Sequence, residues 1–118
     1  MAIKDELGRL GETIAAGYLE RCGLRIIDRN WRCKQGELDL VAIDGTQTVF
    51  VEVKARSSVA FGHPFEAITP VKLRRLRVLA GQWREQHPEA TGGYRIDAVA
   101  VLWEGEPQPK VEHLKGIR

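Results

Sequence analysis

Residues 36–56 read Gly-Glu-Leu-Asp-Leu-Val-Ala-Ile-Asp-Gly-Thr-Gln-Thr-Val-Phe-Val-Glu-Val-Lys-Ala-Arg, two alternating runs around an Asp-Gly pair. Asp-Gly between alternating apolar residues is the strongest short signal for a β-hairpin. Side chains alternate across a strand. In the second run Val49, Val51, Val53 and Ala55 therefore take one face, and Phe50, Glu52, Lys54 and Arg56 the other. In the first run Leu38, Leu40 and Ala42 share a face, opposite Glu37, Asp39, Val41 and Ile43. With the turn at Asp44-Gly45, a two-residue loop pairs Ile43 with Thr46 and a four-residue loop pairs it with Thr48. Both registers put Glu37, Asp39, Glu52 and Lys54 on one face, and only an odd loop or a bulge breaks the set.

Three carboxylates on a common face repel one another, and the one lysine among them offsets only one charge. A solvated face would tolerate this, but Val41, Ile43 and Phe50 lie on the same side, which places the acids at the border of an apolar patch. Carboxylates there must be protonated, paired or bound to a cation. Oxygen ligands of this kind suit Mg²⁺ or Mn²⁺. An ion-pair network without chemistry is the competing reading, and Lys54 alone leaves two acids uncompensated.

A chain of 118 residues, 43% hydrophobic and 29% charged, is expected to form a single domain over residues 1–118. It has no apolar run of membrane-spanning length, and its charged start lacks a signal-peptide core, so a cytoplasmic protein is expected. Cys22 and Cys33 have no metal-ligand spacing and read as reduced thiols. The net charge of +2 is too small to argue for nucleic acid, but its distribution is uneven. Residues 53–84 carry Lys54, Arg56, Lys72, Arg74, Arg75, Arg77 and Arg84 against Glu66 alone. A basic surface next to an acidic cluster suits a phosphate-bearing polymer.

The remaining pattern predicts a helix over 4–22 with Leu7, Leu10, Ile14 and Tyr18 as its apolar stripe, widened by Ala15, Leu19 and Cys22, and stopped by Gly23. Glu12 sits at the edge of that stripe, within reach of the sheet. Strands are expected at 24–32, 36–43, 47–56 and 94–102, with a short edge strand at 110–114 and a loop at 57–68. Thr69-Pro70 marks the start of a second helix, as cap and first-turn proline, with Leu73, Leu76, Ala80 and Trp83 buried. The last long strand follows a crossover helix and should pair in parallel. The whole is an α/β fold, a mixed sheet with helices on both faces.

This order, with Asp39 on one hairpin strand and Glu52-Val53-Lys54 on the next, resembles the PD-(D/E)xK nuclease superfamily. Gly8-x-x-Gly11-Glu12-x-x-Ala15, Arg29-Asn30-x-Arg32, Gly36-Glu37-Leu38-Asp39-Leu40-Val41-Ala42, Phe50-Val51-Glu52-Val53-Lys54-x-Arg56 and Lys72-x-x-Arg75-Leu76 resemble the YraN family of small bacterial proteins, grouped with archaeal-type Holliday-junction resolvases. The resemblance implies a restriction-endonuclease-like three-layer α-β-α core of order α-β-β-β-α-β. It implies a metal-dependent endonuclease that hydrolyses phosphodiester bonds in DNA, branched DNA included, and that works as a homodimer. Asp39 and Glu52 would hold Mg²⁺ or Mn²⁺, with the Val53 carbonyl and Glu37 as further ligands. Lys54 and Glu12 would complete the catalytic group. Arg56, Ser57, Lys72, Arg74 and Arg75 would grip phosphates. The alternative is a nucleic-acid-binding module on a nuclease fold that does not cut.

Overall fold

A computed structural model describes residues 6–60 and 62–118. Five strands form one sheet in the order β1-β2-β3-β4-β5, with β1 at Arg25–Cys33, β2 at Gly36–Asp44, β3 at Gln47–Arg56, β4 at Tyr94–Leu102 and β5 at Lys110–Leu114. All neighbours are antiparallel except β3 and β4, which run parallel from Thr48–Tyr94 to Arg56–Leu102. Helix α1 (Glu6–Arg21) covers one face and helix α2 (Pro70–Gln86) the other. The chain order is thus α-β-β-β-α-β-β, a three-layer α/β architecture with a mixed sheet, as expected. The expected helix start at residues 4 and 5 lies outside the described residues. No helix among them is long and apolar enough to cross a membrane.

The helix ends are set by local chemistry. Gly23 takes φ +95°, which lets its own N–H reach the Glu20 carbonyl and that of Leu24 reach Leu19, both at 3.0 Å. This Schellman closure satisfies two end carbonyls and folds Leu24 back onto Leu19 in the core. At the start of α2 the Thr69 side chain accepts from the Lys72 N–H at 3.2 Å, with Pro70 in the first turn. The 57–68 segment contains one 3₁₀ turn, Pro64–Ala67.

The hairpin pairs Ile43 with Thr48 and Asp44 with Gln47, so its loop residues are Gly45 and Thr46 rather than Asp44 and Gly45. Gly45 has φ +64°, the glycine-first geometry of a type II′ turn. Asp44 stays in the strand because Arg95 Nη1 holds its carboxylate at 2.9 Å.

Two expectations about faces are corrected. Leu38 does not join Leu40 and Ala42 beneath α1; it packs with Val41, Phe50 and Trp31 against α2. Alternation in β2 therefore breaks at Asp39. In β1 the bracketing pairs Arg29–Leu40 and Trp31–Leu38 place Asn30 across from that break, with φ +53°. Asn tolerates the left-handed region better than most residues, and both strands change phase at one level.

In α1 the buried residues are Gly11, Glu12, Ala15, Ala16 and Leu19, whereas Leu10 is half exposed. The helix docks through its small residues because they permit the closest approach. A Cβ on Gly11 would lie 2.5 Å from the Cβ of Ala55. Gly11→Ala should therefore lower stability by about 1–3 kcal/mol through overpacking, against a helix-propensity gain of about 1 kcal/mol. Thermal unfolding checks this: a melting temperature above that of the unaltered protein contradicts the tight α1–β3 contact.

Candidate metal and nucleic-acid site

The hairpin strands stay paired from Asp44–Gln47 to Leu40–Val51 and then part. β3 continues alongside β4 as far as Arg56, while the start of β2 stays with β1 as far as Gly36–Cys33. The gap between them is the floor of a cavity of about 870 Å³, closed on the flanks by the first turns of α1 and α2, by Ser57 and Ser58 and by residues 62–67.

Asp39 sits at the point of divergence. It is 9% exposed, and its Oδ2 accepts the Val53 N–H at 2.8 Å. A side chain thus takes the place of a ladder bond and fixes the carboxylate against the residue between Glu52 and Lys54. Glu52 is 4% exposed. Its Oε2 receives Lys72 Nζ at 3.1 Å and Lys54 Nζ at 3.3 Å. Burial pushes the Glu52 carboxyl above its usual range, the Asp39 charge pushes it further, and the two lysines only partly oppose this. Asp39 and Glu52 line the same cavity, and the charge of one disfavours ionisation of the other.

Of the residues expected from the sequence, Glu12, Glu37, Asp39, Glu52, Val53, Lys54, Arg56, Ser57, Lys72 and Arg75 line this cavity. Arg74 is exposed and is not among the lining residues. Glu37 stands at the rim and pairs with Arg32 Nε at 2.9 Å. Arg56 Nη1 donates to the Ala55 carbonyl at 3.0 Å. Trp31 packs into the α2-side core, and Trp103 onto the α1 side.

The donor set can be tested against a divalent ion. Among the described residues no three His, Cys, Asp or Glu side chains gather into a ready-made cage. Two convergent carboxylates in an open, polar cavity are instead the pattern for Mg²⁺, which keeps its waters and takes one or two carboxylates plus substrate phosphate. Asp39 and Glu52 fit that demand, with their mutual repulsion relieved by the added charge.

Comparison with known proteins decides the family. The model of the family described as "Uncharacterised protein family UPF0102" matches residues 11–101. The chain belongs to UPF0102, the family of the YraN proteins. It is 56% identical over 117 residues to a UPF0102 protein of Arthrobacter sp. (strain FB24), covering 99% of both chains. Renibacterium salmoninarum has a UPF0102 protein 57% identical over 117 residues, again 99% of each, and Beutenbergia cavernae one 54% identical at the same coverage.

The UPF0102 match runs from Gly11, where α1 meets Ala55, to the end of β4, and so takes in the cavity from Glu12 to Leu79. Within this UPF0102 chain, two features escape sequence reasoning. Lys72 meets Glu52 across twenty residues, because α2 lies over the open end of β3; no periodicity reports such a contact. The rim turn is built by His63, whose Nδ1 accepts from the Phe65 N–H at 3.0 Å while its Nε2 meets Glu112 on β5 at 2.9 Å. The Glu66 carboxylate returns to the His63 N–H, completing a capping box. The His63-x-x-Glu66 spacing was visible, but Ser or Thr is the usual first residue of that motif.

Proposed function

We propose that this UPF0102 protein is a metal-dependent endonuclease that hydrolyses phosphodiester bonds in DNA, branched DNA foremost. One observation carries the reading: Asp39 and Glu52, both buried, converge in a cavity whose other walls present Lys54, Arg56, Lys72 and Arg75. Asp39 and Glu52, with the Val53 carbonyl, are the groups that would hold Mg²⁺ or Mn²⁺. Such an ion supplies a bound water of lowered pKa and positive charge at the scissile phosphate.

The protein's own groups do the rest. The Val53 N–H keeps the Asp39 carboxylate aimed into the cavity. Lys54 places its ammonium beside Glu52, where it orients the attacking water and stabilises charge building on the phosphate. Glu12, delivered by the close packing of Gly11 on Ala55, adds a carboxylate at the α1 wall. Arg56, Ser57, Lys72 and Arg75, with Arg74 outside the cavity, grip backbone phosphates and give salt-sensitive, sequence-tolerant binding. Two copies related by symmetry would let one assembly cut both strands.

A second reading rests on a specific observation as well. Glu52 already holds two ammonium groups, so its charge is balanced by protein alone, as suits a DNA-binding module that does not cut. Incubating the protein with four-way junction, flap, linear duplex and single-stranded DNA in Mg²⁺ or Mn²⁺ separates the two. The nuclease reading expects cleavage, strongest on branched substrates, that stops on chelation. Tight junction binding with no cut in either metal hands the site to the second reading.

A further inference from the structure

Lys72 and Lys54 address the same oxygen of Glu52 from different elements. Nζ of Lys72 lies 3.1 Å and Nζ of Lys54 3.3 Å from Oε2. Both ammonium groups thus lie against one carboxylate oxygen, which has only two lone-pair directions. A further cation on that oxygen has to displace an ammonium, and one bound to the other oxygen meets two positive charges at short range.

Both lysine side chains are partly exposed, at 22% for Lys54 and 29% for Lys72, but they stand on different elements. Lys54 rises from β3, two residues beyond Glu52, in a strand fixed by its pairing with Ala100 of β4. Lys72 reaches in from the first turn of α2, a helix on the far wall of the cavity, and its side chain is 29% exposed. Its four-carbon stem can swing the ammonium toward solvent at little cost. Arg75, three residues on, shares its side of the helix and also lines the cavity. A released Lys72 therefore joins Arg75 as a pair of cations facing the same opening.

We propose that Lys72 is the resident counter-cation of Glu52, one that gives way to the divalent ion and then binds substrate phosphate, so that metal binding and DNA binding strengthen each other. This rests on the metal-dependent reading above. By linkage, each ligand raises the affinity of the other by one common factor.

Calorimetric titration with Mg²⁺ alone and with Mn²⁺ alone tests it, on the unaltered protein, Lys72→Met and Lys72→Arg. Removing the competing charge should tighten metal binding about fivefold or more, the low end of such couplings, while Lys72→Arg stays near the unaltered value. Fluorescence anisotropy with a cleavage-resistant phosphorothioate duplex should show metal raising DNA affinity in the unaltered protein and failing to do so in Lys72→Met. A merely supporting ion pair would leave metal affinity unchanged or weaker in Lys72→Met, and that result overturns the proposal while leaving the nuclease reading intact. If the unaltered protein binds neither ion, both fall together.

Discussion

Glu52→Gln should abolish metal-dependent DNA cleavage, by on the order of 10³-fold or more, while leaving DNA affinity within a few-fold and making the protein more stable. The first two effects follow from the site. Gln keeps the shape of Glu52 but removes the charge that faces Asp39, and the phosphate-gripping residues are untouched. The third follows from the balance on Glu52, where burial and the Asp39 charge outweigh both lysines. Lys54 and Lys72 are each partly exposed, so they can turn to water when Glu52 is neutralised. A functional-site charge replaced in this way gains on the order of 1 kcal/mol, or about 4 °C in melting temperature for a chain of this size.

The pH dependence has a definite sign. An acid whose native pKa is raised binds its proton more tightly folded than unfolded, so stability falls as pH climbs from its ordinary 4.5 through the raised native value. The advantage of Glu52→Gln should therefore be full at pH 8 and shrink to nothing below pH 4.5. Melting curves of both proteins across that range check it. A variant less stable than the unaltered protein at pH 8 would mean that the lysines, not burial, govern Glu52.

The largest loss of stability should come from Asp97→Ala. Asp97 is fully buried on β4 and accepts four hydrogen bonds, two from Arg95 at 3.0 and 3.2 Å, one from His113 Nε2 at 2.8 Å and one from the Gly116 N–H at 2.9 Å. Burial alone would pull the Arg95 guanidinium down, but the bonds to Asp97 and then Asp44 hold it above its usual range. Removing one partner of a buried charged set costs about 3–5 kcal/mol, because His113 Nε2 and the Nε and Nη2 of Arg95 keep their desolvation without this acceptor, Asp44 and Gln47 holding only Nη1. Chemical denaturation measures the total. Hydrogen exchange should localise it to Gly116 and the Ile117–Ile96 bond that ties the C-terminal segment to β4. A loss under 1 kcal/mol would show that Asp97 does not pin that segment. Since Asp97 lies outside the cavity wall, metal affinity of the folded fraction should be unchanged.

Much of this was legible in the sequence because it depends on neighbours along the chain. β4 falls on the expected residues, since nearly continuous apolar character marks a strand covered on both faces, and β5 spans the expected 110–114 at the sheet edge. Thr69, Pro70 and Gly23 end their helices where capping chemistry requires. Asp39, Glu52 and Lys54 line one cavity because the short turn sets the register down to Leu40–Val51, one residue short of the acids, and the Asp39 bond to the Val53 N–H completes the approach.

What was not legible depends on packing. The expected stripe of α1 was right at Ala15 and Leu19, with Ile14 and Tyr18 packed beside them, but Leu10 is half exposed and the contact is centred on Gly11, Ala15 and Ala16, which dock by what they lack. Leu38 changed face through a phase break at Asn30 and Asp39 that alternation has no means to anticipate. Asp97 pairs with Arg95, two residues before it on the same strand, and also with His113 on the neighbouring β5, a contact that spacing along the chain does not announce. Lys72 read as a phosphate contact on a basic helix, and its approach to Glu52 appears only once α2 is laid across the sheet.

On the proposed reading, Asp39 and Glu52 hold one divalent ion between them. Titrating Mn²⁺ into the unaltered protein, Asp39→Asn and Glu52→Gln by calorimetry addresses it most directly. The account predicts a single site per chain in the unaltered protein and its loss in each variant. Undetectable binding to the unaltered protein, or binding that survives both substitutions, contradicts it.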